Sequence, residues 1–250
     1  MSSDVAPAPA HDSTWQPGEP GAGGYHALFK APPEEAATIE RIGVQYANMQ
    51  HQSETAVNGM WLFLCTELLF FGGLFLLYFI YRSLDPLGFA EGSRHSEWWI
   101  GTPNTVLLLT SSAVFAFGLS RARLGDNRGL FWCTVVTAVL GVAFLVLKVI
   151  EWKDDLDEHL FPGPDFAIHG PHSGGAQLFW SYYFIGTVLH GIHMVFGIGL
   201  VAWIAHGARR GRFSPGYVTP VEGVGLYWSF VDMVWVVLFS TIYLVGGIGQ

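Results

Sequence analysis

Five long apolar stretches, separated by short polar segments, constrain the fold of this chain more than any other feature. Each is close to or longer than the ~20 residues that an α-helix needs to cross a bilayer. The stretches occupy residues 57–81, 98–120, 129–151, 177–206 and 223–248. Only 13% of the 250 residues are charged, whereas a soluble domain usually carries about 25%. The sequence therefore predicts an all-α, polytopic membrane bundle of five transmembrane helices in residues 57–250.

Residues 1–56 are predicted to form a polar N-terminal extension. Residues 1–30 are rich in proline and glycine and offer little apolar surface to bury, so we expect this part to be flexible. They contain no basic start followed by an apolar run, so no secretory signal is expected. Residues 33–48 begin with a proline and two glutamates, which is typical of the first turn of a helix. This segment predicts one short surface helix.

The distribution of charge in the loops predicts how the bundle is oriented. The loops at 121–128 and 207–222 carry arginines, whereas the loop at 152–176 is acidic. Because basic loops stay on the cytoplasmic side of a membrane, we expect the N terminus inside and the C terminus outside. The arginines are Arg121, Arg123, Arg128, Arg209, Arg210 and Arg212. The net charge of −8 argues against nucleic acid as a partner, because phosphate binding requires clustered basic residues.

Two carboxyl groups lie well inside apolar stretches, away from their ends. Glu67 lies about ten residues into the first stretch, roughly 15 Å deep at the rise of an α-helix, and a carboxyl in hydrocarbon is costly and often functional. It is either a hydrogen-bonded structural acid or a proton-handling acid that reacts with carbodiimides. Asp232 lies in the fifth stretch, where a hydrogen bond between helices is the favoured role, because such contacts commonly hold membrane bundles together.

Two histidines and one further acid complete the set of candidate residues. His190 and His193 are three residues apart on the fourth stretch, so they are expected on one helix face. A metal site would need further ligands, and the fourth stretch contains no acid, which favours a packing role. Glu151 follows Lys148 by one helical turn. This pair contributes only a few tenths of a kcal/mol if it is exposed, and more if it is buried against another helix.

The chain lacks the residue patterns of common redox centres. Cys65 and Cys133 lie on different apolar stretches, so they do not suggest the paired thiolates of a dinuclear copper centre. The sequence also lacks a Cys-x-x-Cys-His motif for covalent haem. We therefore expect no catalytic centre, metal ion or redox cofactor in this chain itself.

Four segments of the chain, at residues 58–79, 102–112, 184–197 and 222–247, together resemble subunit III of the haem–copper cytochrome c oxidases. The segment 58–79 is similar to a family motif that contains an intramembrane glutamate, and 102–112 to a family Leu-Asn-Thr segment. The segment 184–197 is similar to the family's Gly-x-His-Gly-x-His box, and 222–247 to its last helix. The resemblance covers roughly residues 57–248. In the first motif, the matching residues are Gly59, Phe63, Glu67, Phe70 and Phe71.

The chain departs from the family pattern in two respects. It has five apolar stretches where the commonest mitochondrial form has seven spans, so it resembles the five-span version. Ser229 stands where the family usually has histidine, which puts any role of that imidazole in doubt.

The resemblance implies a non-redox core subunit of a proton-pumping terminal oxidase that reduces O2 to water. Such a subunit packs on haem–copper subunit I, in a complex with copper-binding subunit II, holds phospholipid and supports proton uptake. Haem and copper would lie in those partner subunits, and a larger respiratory supercomplex is a further expected assembly. The resemblance assigns the carbodiimide-reactive position to Glu67. It assigns structural, polar packing roles to His190, His193, Glu222 and Asp232. Glu151 matches the family at the end of the third stretch, and we expect a structural packing role for it as well. The expected location is a bacterial plasma membrane.

Three alternatives remain open. The chain could be subunit III of a quinol oxidase, or an accessory membrane subunit of nitric oxide reductase, since five-span forms occur in both. A third alternative is an independent proton-coupled transporter that uses Glu67 and Asp232. The sequence shows no inverted repeat or interrupted helix pair of the kind that marks transporter sites, so this alternative has the least support.

Overall fold

The computed structural model describes residues 49–96 and 98–244. This part of the chain is helical and contains no β-strand. Five of its helices are long and apolar enough to cross a membrane, which confirms the predicted five-helix bundle. These candidate spans are Glu54–Leu84, Gly101–Arg123, Asn127–Asp157, Ser173–Arg209 and Thr219–Leu244. The helix predicted over 33–48 lies outside the described residues.

The helices run somewhat further than the apolar stretches, because polar residues extend both ends of most spans. In chain order they are α1 (Met49–Leu84), α2 (Pro86–Ser93), α3 (Trp98–Arg123), α4 (Asn127–Asp157), α5 (Ser173–Arg209) and α6 (Thr219–Phe239). A π-helical turn, Ser240–Leu244, follows α6 directly.

The short helix α2 was not predicted, and it lies in the polar segment between the first and second apolar stretches. Asp85 caps it, because its Oδ1 accepts a hydrogen bond from the Gly88 amide at 3.0 Å. Pro86 is its first residue, where the fixed φ of proline suits a helix start. The backbone of Gly88 then lies so close to Gly175 that an added Cβ would approach the Gly175 Cα to 2.6 Å. This contact holds α2 against the start of α5.

Helices α3 to α6 form the tightly packed part of the bundle. Trp180, Trp228 and Trp235 are fully buried there. Glycine allows close approach where helices meet: a Cβ added at Gly118 on α3 would lie 2.7 Å from the Cβ of Cys133 on α4. The core therefore combines large aromatic side chains with small residues at the helix crossings.

Helix α1 contacts α5 and α6 through long aromatic side chains. Its Tyr78 ring lies 4.5 Å from the ring of Tyr182 on α5, and the Tyr78 hydroxyl donates to the Thr241 carbonyl oxygen at 2.7 Å. Nearer the other end of α1, the Phe63 ring lies 6.1 Å from that of Tyr227 on α6. Around the contact between Phe63 and Tyr227, α1, α5 and α6 line an open cleft.

The two arginine-rich loops meet at one end of the bundle. Asn127 donates through Nδ2 to the Phe213 carbonyl oxygen at 2.7 Å and accepts from the Phe213 amide at 3.3 Å. Arg123 also forms an ion pair with Glu222 at 2.9 Å. We call this end the arginine end, and the opposite end, which carries the loop after α4, the acidic end.

Candidate functional site

The first site joins Glu67 of α1 to His193 of α5. Glu67 Oε2 and His193 Nε2 lie 3.0 Å apart, and their side chains are 19% and 17% exposed. The other ring nitrogen, Nδ1, lies 2.8 Å from the Leu189 carbonyl oxygen. Because a carbonyl oxygen only accepts hydrogen bonds, Nδ1 must carry a hydrogen.

Because Nδ1 carries a hydrogen, only Nε2 of His193 can share a proton with the Glu67 carboxyl group. When the imidazole is neutral, Nε2 is an acceptor and the Glu67 carboxyl must donate; when it is charged, Nε2 donates to a carboxylate. One proton therefore lies between Oε2 and Nε2 in both forms. The pair has no net charge in either form, so it avoids the cost of an isolated charge in hydrocarbon.

Aromatic rings and a cleft surround this pair. The Phe71 ring lies edge-on to His193 with centroids 5.2 Å apart, and the Tyr227 hydroxyl donates to the His193 carbonyl oxygen at 3.0 Å. Glu67 and His193 line a cavity of about 630 Å³. The rest of its lining is mainly apolar and includes Met60, Phe63, Phe196, Gly199 and Leu200.

His190 faces a different part of the bundle from His193, although both were expected on one helix face. Its ring lies 5.2 Å from that of Trp235 on α6 and 5.5 Å from that of Phe144 on α4. The spacing of three residues turns the two side chains by about 60° relative to each other, which is enough to give them different neighbours. Both ring nitrogens of His190 are buried and lack a hydrogen-bond partner among the described residues.

Lys148 and Glu151 form a buried ion pair, which settles the question that their spacing left open. Lys148 Nζ lies 2.8 Å from Glu151 Oε1, and the two side chains are 1% and 5% exposed. Lys148 also donates to the hydroxyls of Tyr183 at 3.1 Å and Tyr243 at 2.8 Å. The hydroxyls of both tyrosines also lie within hydrogen-bonding distance of Glu151 Oε1. The cluster links α4, α5 and the π-helical turn.

The two remaining candidate acids have different surroundings. Asp232 is buried, and its carboxyl oxygens have no hydrogen-bond partner among the described residues, although the Ser112 hydroxyl on α3 lies nearby. The hydrogen bond between helices thus stays a prediction. Glu222 lies in the first turn of α6, and its partly exposed carboxylate pairs with Arg123. Ser229 is exposed and takes no part in these clusters.

Sequence reasoning missed Tyr183, Tyr243 and Asp155 as members of a polar cluster. No spacing pattern connects the two tyrosines with Lys148, because 35 and 95 residues separate them from it. Asp155 lies on the same helix, one turn after Glu151, so helix periodicity was a signal that could have identified it. The described residues include no group of three or more histidine, cysteine or acidic side chains that could hold a metal ion.

Comparison with known proteins gives one consistent result. The family model described as cytochrome c oxidase subunit III matches residues 44–247. Cytochrome c oxidase subunit 3 of Synechocystis is 35% identical over 187 residues, covering 74% of this chain and 74% of the relative. The same subunit of Thermostichus vulcanus is 30% identical, with 83% and 96% covered. Quinol oxidase subunit 3 of Bacillus subtilis is 28% identical, with 82% and 95% covered.

Proposed function

Because this chain belongs to the cytochrome c oxidase subunit III family, we propose that it supports proton uptake and holds lipid within a haem–copper terminal oxidase. It is an integral membrane protein and a subunit III of this class of oxidase. In that role it packs on haem–copper subunit I, beside a copper-binding subunit II, in a complex that reduces O2 to water and pumps protons.

The Glu67–His193 pair is the observation that carries this proposal. The pair holds one proton between two side chains and stays neutral whichever side chain carries it. It can therefore keep a proton within the membrane without an isolated charge. The adjoining cavity of about 630 Å³ has a mainly apolar lining, which suits the acyl chain of a phospholipid. Lipid in this cleft would also exclude water from the pair.

The location of the redox groups and the orientation of the bundle are part of the same proposal. Haem and copper lie in the partner subunits, and this chain has no catalytic residue or cofactor of its own. The arginine end faces the cytoplasm of a bacterial cell, together with the N-terminal extension, because arginine-rich loops stay inside. The acidic end and the C terminus face outside.

A second candidate differs only in the electron donor. The Bacillus relative is named as a quinol oxidase subunit, so the donor is either cytochrome c or a quinol. The relatives named above are oxidase subunits, and this favours an oxidase over a nitric oxide reductase accessory protein or an independent transporter. The copper content of the purified complex distinguishes the two donors, because a copper-binding subunit II accompanies cytochrome c oxidation.

Carbodiimide labelling of the purified complex tests the role of Glu67. A hydrophobic carbodiimide should label this chain, and Glu67→Gln should abolish the label while assembly persists, because the amide keeps the shape and a hydrogen bond. Asp232→Asn is the matched control, since it removes another intramembrane carboxyl and should leave the label in place. Undiminished labelling of the Glu67→Gln subunit would show that another carboxyl reacts.

Turnover measurements test the role in proton uptake. The complex without this subunit should begin O2 reduction at a measurable rate but lose activity sooner over repeated turnovers. The Glu67→Gln complex should show part of that loss, whereas Asp232→Asn should not. Equal durability of the depleted and complete complexes would refute a role in sustained proton uptake.

A further inference from the structure

Asp155, Tyr183 and Glu151 form a continuous hydrogen-bonded chain at the acidic end of the bundle. The Tyr183 hydroxyl oxygen lies 2.6 Å from Asp155 Oδ2 and 2.8 Å from Glu151 Oε1. Asp155 is half-buried, whereas Glu151 is buried. We propose that these three side chains form a proton relay between the aqueous phase at this end and the interior of the bundle.

The hydrogen bonds that join Asp155, Tyr183 and Glu151 need two hydrogens, whereas one phenol and two ionised carboxylates supply only one. A hydroxyl has one hydrogen, so Tyr183 can donate to only one of its two carboxyl neighbours at a time. The other contact, at 2.6 or 2.8 Å, needs a hydrogen from the carboxyl. Either Asp155 or Glu151 therefore carries a proton and donates it to Tyr183.

The hydrogens of the neighbouring groups are already committed. Lys148 uses its three ammonium hydrogens on Glu151, Tyr183 and Tyr243. Tyr243 donates its own hydrogen to Glu151. None of these hydrogens is available for the hydrogen bond between Tyr183 and the carboxyl group to which Tyr183 does not donate. The additional proton must therefore lie on Asp155 or Glu151.

The balance of charge supports the same count. The charged and titratable groups that act on the relay are Lys148, Glu151 and Glu158 from α4 and its end, Tyr183 from α5 and Tyr243 from the π-helical turn. With one proton shared, Lys148 balances a single carboxylate in the buried cluster. Without it, two neighbouring carboxylates would face the single ammonium group of Lys148, and the repulsion between these like charges disfavours that state.

Transfer along the relay conserves every proton. The Asp155 carboxyl gives its proton to the Tyr183 oxygen, while the Tyr183 hydroxyl gives its own to Glu151 Oε1. Asp155 then accepts from Tyr183, and Glu151 donates to it. Lys148 balances one carboxylate before and after the transfer, so the net charge of the cluster does not change.

Glu151 also has an atom that can extend the relay inward. Its Oε2 is buried and has no hydrogen-bond partner among the described residues, while Oε1 accepts from Lys148, Tyr183 and Tyr243. A purely structural ion pair at this depth would be expected to use both oxygens, because buried polar atoms are nearly always hydrogen-bonded. This site is independent of Glu67, so its failure would leave the proposed function intact.

Infrared spectroscopy of the purified complex tests whether the shared proton exists. A carboxyl C=O band should change between low and high pH and shift in D2O. Asp155→Asn should remove this band, whereas Asp154→Asn, which changes an exposed neighbour on the same helix, should not. Identical pH-difference spectra for the wild-type and Asp155→Asn complexes would refute the shared proton.

Deuterium uptake by the Lys148 ammonium group tests whether a proton moves along the relay from Asp155 through Tyr183 to Glu151. Lys148 donates to Glu151 and Tyr183, so a deuteron that reaches Glu151 can exchange into its ammonium group. The complex is labelled with ¹⁵N-lysine, and the Lys148 signal is assigned as the one that Lys148→Arg removes, because this variant keeps the positive charge. Exchange is followed after transfer to D2O. Tyr183→Phe should slow this exchange, because it removes the hydroxyl that links Asp155 to Glu151. Tyr182→Phe is the control, because its hydroxyl bonds to Thr241 instead.

The direction of this change separates a relay from a structural cluster. A hydroxyl that only stabilises packing would, when removed, loosen the cluster and speed up exchange at Lys148. Exchange in Tyr183→Phe that is as fast as in Tyr182→Phe, or faster, would overturn the proposal. This arm stands even if Asp155→Asn fails to assemble.

Discussion

Replacing Lys148 with methionine should destabilise the bundle more than any other single charge-removing substitution discussed for this chain. Methionine is similar in length, so the change removes the ammonium group and leaves most of the packing. The group donates hydrogen bonds to Glu151, Tyr183 and Tyr243. It also lies 4.6 Å from the Tyr183 ring and 5.4 Å from the Trp235 ring. All of these contacts are lost together.

The expected cost follows from the burial of the ion pair. Lys148 and Glu151 are 1% and 5% exposed, so Lys148→Met leaves Glu151 without its countercharge in the interior. Breaking one partner of a buried pair typically costs about 3–5 kcal/mol, whereas replacing both partners by apolar residues is often close to neutral. The double variant Lys148→Met/Glu151→Leu should therefore recover most of the free energy of unfolding that Lys148→Met loses.

Unfolding by titration with denaturing detergent, followed by tryptophan fluorescence, measures these differences. Lys153→Met is the matched control, because Lys153 is exposed on the same helix and should change the free energy of unfolding by less than about 1 kcal/mol. The reasoning would be refuted if Lys148→Met were as mild as Lys153→Met, or if the double variant were less stable than Lys148→Met alone.

Three further predictions use the same assay. Gly118→Ala should lower the free energy of unfolding by about 1–3 kcal/mol through overpacking, because the new Cβ would lie 2.7 Å from the Cys133 Cβ. Gly73→Ala is the control: it has open space around it and should be neutral or slightly stabilising. Equal changes in the two variants would contradict the close packing at Gly118. Asp85→Ala should lower the free energy of unfolding by about 1 kcal/mol, because α2 loses its cap. Asp85→Asn should retain most of that stability, since asparagine can also cap a helix. Equal stability of these two variants would count against the cap. Arg123→Gln should cost under about 1 kcal/mol, because the Arg123 side chain is 61% exposed, and a larger loss would show that its pair with Glu222 is more buried than described.

Hydropathy and length were enough to predict the transmembrane helices. Each of the five apolar stretches overlaps an observed span, because a helix that crosses hydrocarbon must be long and apolar. Helix α2 was missed because it is short and lies between spans. Asp85 followed by Pro86 was the available signal, since this pair matches a cap and a first helical residue.

The contacts between helices could not be predicted from the sequence. Glu67 and His193 were both candidates, but 126 residues separate them, and helix periodicity does not say which faces of distant helices meet. The same holds for Tyr243, which reaches Glu151 from the π-helical turn. Periodicity along α6 predicts neither that turn nor the direction of its side chains. The sequence thus identified most charged members of the sites but not their partners.

Purification of the tagged chain in mild detergent tests the central claim most directly. The copurifying proteins are identified by mass spectrometry, and a reduced-minus-oxidised spectrum reports haem. We expect a haem–copper subunit I in stoichiometric amounts, with a copper-binding subunit II if cytochrome c is the donor. A chain that purifies alone without haem, or with a nitric oxide reductase, would contradict the assignment to a terminal oxidase.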